Sequence, residues 1–113
     1  MKQREIILVP FPFSDQSGQK IRPALIVSNN SFNAAGEDIV VCAITSMIKS
    51  NQYSVLINQN DLEKGVLYEP SVVKVENIFK IQKSLIIKSI GSIKSTVLVK
   101  IVQAINALVK GSE

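Results

Sequence analysis

Histidine and tryptophan are absent from this chain of 113 residues, and cysteine occurs only once, at Cys42. Without histidine a Ser-His-Asp triad is impossible, and one cysteine cannot supply the Cys/His sets that usually hold zinc. No glycine-rich loop of the kind that cradles nucleotide phosphates is present either. Any catalysis must therefore use Arg, Lys, carboxylates or hydroxyls, and we expect no metal and no other cofactor.

Other absences concern the cellular setting. No uncharged run approaches the roughly 18 residues that cross a bilayer, and no long apolar segment follows the first residues as a secretion signal would. The lone cysteine cannot form an internal disulfide, which is typical of a reducing compartment. We therefore expect a cytoplasmic protein that does not bind membranes, and the length predicts a single domain over residues 1–113.

Positive charge is concentrated in the second part of the chain. The formal net charge is +4, yet residues 74–110 carry seven lysines against one carboxylate, Glu76, which is a local balance of +6. A one-sided field of this kind favours polyanionic partners, nucleic acid first and acidic protein segments second. A solvated lysine face that only keeps the protein soluble is the alternative.

Runs rich in β-branched residues dominate the chain and predict strands. Pro10 and Pro12 lack the N–H that a central strand needs, so we expect the first strand to end there or to lie at a sheet edge. A run without polar alternation predicts a third strand that is buried on both faces. The predicted strands are 5–11, 21–28, 38–45, 53–57 and 71–75, with a further apolar patch at 85–88.

The apolar period changes near the end of the chain. From Ser95 to Lys110 apolar residues recur every three or four positions, which predicts an amphipathic helix with Ser95 as its N-cap and Gly111 just beyond its end. The stretch between the second and third predicted strands, from Asn29 to Gly36, is predicted to be a connection that contains one helical turn. Five to six short strands and a terminal helix predict a mainly β protein, a small curled barrel whose open side the helix covers.

Two positions are suited to holding a phosphate. Arg22 lies where a polar loop meets the second strand, and Pro23 fixes the backbone beside it. Arginine donates two parallel hydrogen bonds to phosphate and stays charged, although a surface ion pair or a clamp to Asp15 would also explain it. Thr45 and Ser46 place two hydroxyls at the end of the third strand, where they could bind phosphate oxygens or simply cap a turn.

Four ordered blocks resemble the MazF/PemK family of toxin endoribonucleases, which belong to type II toxin–antitoxin systems. The resemblance covers essentially the whole chain and implies an SH3-like barrel that acts as a homodimer and cuts single-stranded RNA without a metal. The blocks are Val-Pro-Phe-Pro-Phe-Ser-Asp from Val9, Arg-Pro-Ala-Leu-Ile-Val-Ser-Asn from Arg22, Ala-Ile-Thr-Ser from Ala43, and Ser-Val-Val-Lys-Val-Glu-Asn-Ile-Phe from Ser71.

The family's catalytic roles transfer to three residues. Arg22 and Thr45 match an arginine and a threonine that are central to cleavage, and Glu76 stands where some members have an aspartate base. Lys74 replaces an arginine in the same block and gives up the bidentate phosphate contact. Without that resemblance, Lys74 and Glu76 would be read as an exposed ion pair of small energetic value.

The resemblance also implies an RNA-binding surface and a protein partner. The family's antitoxins are acidic, partly disordered segments, which suit the lysine-rich second part of this chain. A gyrase-poisoning toxin of the CcdB type and a non-catalytic SH3-like binding module are the alternatives. The residues predicted to bind RNA are Phe13, Gln16, Gln19, Lys20, Ser46 and Lys74.

Overall fold

A computed structural model describes residues 1–11, 20–47 and 53–111. Within them seven strands form one sheet in which every pairing is antiparallel, in the order β4-β6-β3-β2-β1-β7-β5. The strands are β1 Glu5–Phe11, β2 Lys20–Ile26, β3 Asp38–Thr45, β4 Ser54–Ile57, β5 Leu62–Gly65, β6 Ser71–Gln82 and β7 Lys88–Ile93.

One α-helix and two 3₁₀ turns occupy connections between strands, and a second α-helix follows β7. Helix α1, Asn30–Ala35, begins after Asn29, whose side chain accepts a hydrogen bond of 2.8 Å from the N–H of Phe32. Helix α2, Ser95–Val109, begins one residue earlier than we expected, because its N-cap is Lys94 rather than Ser95, and Lys94 makes no side-chain capping bond. The two 3₁₀ turns are Gln59–Asp61 and Lys83–Leu85.

The central strands are buried on both faces, as the sequence of the third strand predicts. One face carries the helix-side core, in which Val97 and Ile101 of α2 pack against Leu25, Cys42 and Val73. The helix therefore covers one side of the sheet. The other face carries the second core, whose buried members are Ile7, Val9, Phe11, Ala24, Ile26, Ile39, Val41, Ala43 and Ile81.

The prediction that the first strand ends at its prolines or lies at a sheet edge there is confirmed, because β1 ends at Phe11, directly before Pro12, and its last residues have one neighbouring strand although β1 lies between β2 and β7. The pairing with β7 covers only residues from Glu5 to Leu8, whereas the pairing with β2 continues to Phe11. Pro10 thus lies on the part of β1 that has one paired neighbour, where its missing N–H breaks no second ladder.

The mainly β fold with a terminal helix is confirmed, but the described residues contain seven strands rather than five to six. The fifth predicted strand runs to Gln82 instead of Val75. Both β5 and β7 escaped prediction because Leu-Glu-Lys-Gly and Lys-Ser-Ile-Gly-Ser-Ile have little intrinsic strand preference. Their pairing comes from tertiary context instead, at the close contact between Gly65 and Gly91.

Candidate active site

Arg22 and Thr45 are brought together by the register of β2 and β3. The ladder pairs Ala24 with Ala43 and extends no further in that direction. Continuing the same register by two residues on each strand sets Arg22 opposite Thr45, on the face that carries Ala24 and Ala43. Both residues line one cleft at this end of the ladder between β2 and β3.

This candidate active-site cleft has a volume of about 750 Å³, and Arg22 and Thr45 both line it. Lys20 and Ser46, which the sequence predicts to bind RNA, lie on the same walls. The other described residues that line the cleft are Ile21, Pro23, Ile44, Gly65, Val66, Leu67, Tyr68, Glu69, Ser71, Lys88, Ser89 and Ile90.

The hydroxyl of Thr45 has a defined direction. Its oxygen accepts a hydrogen bond of 3.1 Å from the N–H of Met47, so the threonine does cap the turn that follows β3. A hydroxyl carries one donor and two acceptor positions, and the turn uses one acceptor. The proton of Thr45 can therefore be donated to an anion in the cleft while the turn holds the oxygen in place.

A segment of five residues between β5 and β6, Val66–Pro70, forms a second wall of the cleft, which its residues 66–69 line. Its first residue follows Gly65, whose φ of +92° suits glycine and whose missing Cβ would come within 2.4 Å of the carbonyl oxygen of Ile90. Gly91 is restricted by space alone, since a Cβ there would come within 2.5 Å of the carbonyl oxygen of Lys64. This pair of glycines lets β5 approach β7 closely and so fixes where the wall begins.

Lys74 and Glu76 are placed differently. Their side chains form an ion pair of 3.8 Å and are both about one-third exposed. Lys74 lies opposite Ala43, and between Ala43 and Cys42 the pairing with β6 jumps from Lys74 to Ile78, so Glu76 sits in an irregular stretch of the strand. Neither residue is among those that line the cleft, so their catalytic and RNA-binding roles stay predictions.

Phe13, Gln16 and Gln19 lie outside the described residues, and their roles also stay predictions. Tyr53, another residue suited to stacking, packs against the helix-side core. Of the seven lysines between residues 74 and 110, only Lys88 lines the cleft. The lysine-rich region is therefore mostly a surface apart from the candidate site.

Sequence reasoning missed three chemically relevant residues of the cleft: Tyr68, Glu69 and Lys88. They belong to a turn and a weak strand that show no periodicity. The Tyr-Glu-Pro turn directly before the fourth block is the only signal in the sequence that could have drawn attention to them. Glu69 is the one carboxylate among the described residues that line the cleft, beside three cations.

Cys42 is not suited to nucleophilic catalysis. It is fully buried in the helix-side core, and this burial raises the pKa of its thiol to about 12, with the negative charge of Glu76 adding to the effect. The thiol therefore stays protonated at neutral pH.

In the described part of the chain no three His, Cys, Asp or Glu side chains gather as metal ligands would. Its helices also include none with the length and apolar character to cross a membrane.

Comparison with protein families gives a match over nearly the whole chain. Residues 2–109 match the model of the PemK-like, MazF-like toxins of type II toxin–antitoxin systems. The chain belongs to this family. No curated protein matches it closely enough to count as a relative. For this PemK/MazF-like chain, membership confirms the resemblance carried by the four sequence blocks.

Solved structures of MazF toxins share the fold. The chain is similar to toxin MazF-mt6 of Mycobacterium tuberculosis, with a TM-score of 0.78 and 21% identity over 97% of this chain and 100% of that one. It is also similar to a mycobacterial endoribonuclease in complex with its cognate antitoxin, with a TM-score of 0.78 and 22% identity over 100% of this chain and 99% of that one. For a MazE-MazF structure from Deinococcus radiodurans the TM-score is 0.76, with 19% identity over 99% of this chain and 98% of that one. At these identities the likeness concerns the fold.

Proposed function

We propose that this PemK/MazF-like protein is a toxin that acts as a metal-independent, sequence-specific endoribonuclease on single-stranded RNA in the cytoplasm, with residues 1–113 as one toxin domain. The observation that carries the proposal is the shared cleft of Arg22 and Thr45. A guanidinium and a hydroxyl donor in one cleft suit a phosphodiester, and neither rival function needs that pair.

RNA supplies its own nucleophile in this reaction. The 2′-oxygen attacks the adjacent phosphorus, the bond from phosphorus to the 5′-oxygen breaks, and the products are a 2′,3′-cyclic phosphate and a 5′-hydroxyl end. The proton of the 2′-hydroxyl passes to a base, and the departing 5′-oxygen takes a proton from water. The protein must align the two oxygens in line and neutralise the charge that develops on the phosphate.

Arg22 and Thr45 stabilise the negative charge of the phosphate in different ways. Arg22 clamps the scissile phosphate and, because it stays charged, stabilises the transition state more than it serves as an acid. Thr45 donates its hydroxyl proton to a non-bridging oxygen while Met47 holds the hydroxyl from the other side. Lys20 and Lys88 add positive charge along the same cleft, which guides the RNA backbone to it.

The proton acceptor is the remaining role. Glu76 matches the family block that holds a base in some members, but it does not line the cleft in this structure. We assign the role to Glu69, the one carboxylate among the described residues that line the cleft. A carboxylate within reach of the 2′-hydroxyl accepts its proton in the transition state.

We also propose that the protein forms a homodimer and binds an acidic antitoxin. Similar proteins have been solved with their antitoxins, including a mycobacterial endoribonuclease and MazF of Deinococcus radiodurans. Three lysines near or on α2, Lys94, Lys100 and Lys110, are exposed away from the cleft. They supply a positive surface that suits an acidic, partly disordered segment.

The test is direct cleavage. Purified protein is incubated in excess chelator with a long RNA of mixed sequence and with a DNA of the same sequence, and the new ends are mapped. We expect cuts at a recurring short sequence in the RNA, 5′-hydroxyl ends that a kinase can label without prior phosphatase treatment, and intact DNA, since deoxyribose has no 2′-hydroxyl. RNA that stays uncut across several sequences would refute the proposal.

A further inference from the structure

Tyr68 is the most exposed large apolar side chain among the described residues, at 93%, and it lines the candidate active-site cleft. Two further apolar side chains of the cleft, Ile21 and Val66, are 54% and 57% exposed. Single exposed apolar residues are ordinary, but three that line one cleft mark a binding surface. The cleft therefore has an apolar part beside its phosphate-binding part.

The backbone on both sides of Tyr68 is held in place. The side-chain amide of Gln59 donates to the carbonyl oxygen of Gly65 at 3.2 Å and accepts from the N–H of Leu67 at 2.7 Å. On the other side, the hydroxyl of the buried Ser71 donates to the carbonyl oxygen of Glu69 at 3.2 Å. Leu67 is anchored against the helix-side core. The wall therefore presents the ring of Tyr68 to solvent from a fixed backbone.

We propose that Tyr68 is the stacking platform for a nucleobase of the RNA next to the phosphate held by Arg22. An aromatic ring beside a cluster of cations and hydroxyls matches a nucleotide, which joins a flat π-face to an anion. A purely apolar protein segment would leave Lys20, Arg22 and Lys88 without a matching anion. Because the wall is fixed before binding, little conformational entropy is lost when the base stacks.

This inference rests on the proposed function, but its test does not require cleavage. The chain has no tryptophan and only two tyrosines, Tyr53 and Tyr68, so its intrinsic fluorescence comes from these two rings. In the variant Tyr53→Phe the emission reports Tyr68 alone, and in the matched control Tyr68→Phe it reports Tyr53 alone. The probe is a seven-nucleotide DNA of mixed sequence, which lacks the 2′-hydroxyl and stays intact.

Stacking quenches the emission of the ring involved. We expect saturable quenching in Tyr53→Phe and, after the same correction for light absorbed by the DNA, little change in Tyr68→Phe. Equal quenching in both variants, or none in Tyr53→Phe up to millimolar DNA, would overturn the inference and leave the apolar part of the cleft to a protein partner. If the protein cleaves RNA but DNA does not quench the emission of Tyr68, the stacking role alone is refuted. If DNA quenches this emission but RNA stays uncut, the nuclease activity alone is refuted.

Affinity gives a second readout. Stacking is worth about 1–3 kcal/mol per base, so Tyr68→Ala should weaken binding of the same DNA roughly 5- to 150-fold. Tyr68→Phe keeps the ring and should bind like the unmodified protein, whereas Tyr68→Leu keeps an apolar side chain without a π-face and should bind like Tyr68→Ala. If leucine restores binding as well as phenylalanine does, the contact is merely apolar and the stacking role is refuted.

Discussion

The substitution Gly65→Ala should destabilise the protein strongly, and its cost can be worked out from two features. The first is the φ of +92°, which for a residue with a Cβ costs about 1–2 kcal/mol. The second is steric, since the new Cβ would lie 2.4 Å from the carbonyl oxygen of Ile90 and 2.7 Å from the Cα of Gly91. Both are backbone atoms that cannot rotate away, which adds roughly 1–3 kcal/mol.

The sum is a loss of about 2–5 kcal/mol, a large part of the roughly 5–15 kcal/mol that stabilises a typical domain. The assay is urea denaturation followed by circular dichroism. Gly36→Ala is the matched control, because a Cβ at Gly36 meets nothing within 4 Å and its φ lies on the negative side. The control should stay within about 0.5 kcal/mol of the unmodified protein.

A second variant tests the same contact from the other strand. Gly91→Ala places its Cβ 2.5 Å from the carbonyl oxygen of Lys64, so it should destabilise the same contact between β5 and β7. If Gly65→Ala and Gly91→Ala are both as stable as Gly36→Ala, the close approach of these strands does not exist. The wall that carries Tyr68 would then lack its fixed starting point.

Two further predictions concern charge. Because the folded pKa of Cys42, about 12, lies above the ordinary value of 9.0, its contribution to stability is complete below about pH 9 and is lost as the pH rises towards 12. In alkaline denaturation series the unmodified protein should lose stability faster than Cys42→Ala over that window, and parallel curves would contradict the pKa. Glu69→Gln should slow RNA cleavage about 10²-fold or more, whereas Glu76→Gln should change the single-turnover rate only a few-fold. The reverse order would return the proton-accepting role to Glu76.

Local sequence patterns predict most of the fold but not the site's second wall. The β-branched run from Asp38 to Thr45 and the helical period after Ser95 are strong local signals, and both elements form with nearly the predicted bounds. Strands β5 and β7 depend on a contact between Gly65 and Gly91 that lie 26 positions apart, and no local pattern encodes it. The segment that bears Tyr68 and Glu69 depends on that contact.

Arg22 and Thr45, on the first wall of the cleft, could be predicted from the sequence for a different reason. Arg22 and Thr45 lie in blocks that resemble a known family, but each alone is equally well explained by a surface ion pair or a turn cap. Only the register of β2 against β3 sets them opposite each other. The role of Glu76 stays a prediction, because its block matches the family but the residue lies in the irregular stretch of β6 and does not line the cleft.

The central claim is that Arg22 and Thr45 act on the same phosphate, and a double-mutant cycle tests it most directly. Single-turnover cleavage rates are measured for Arg22→Ala, Thr45→Ala and the double variant, with folding checked by urea denaturation. Thr45→Ala should cost about 10²-fold, Arg22→Ala more, and the double variant little more than Arg22→Ala alone, because a phosphate that is no longer clamped cannot use the hydroxyl. Losses that multiply in full, or an Arg22→Ala protein with undiminished activity, would contradict the account.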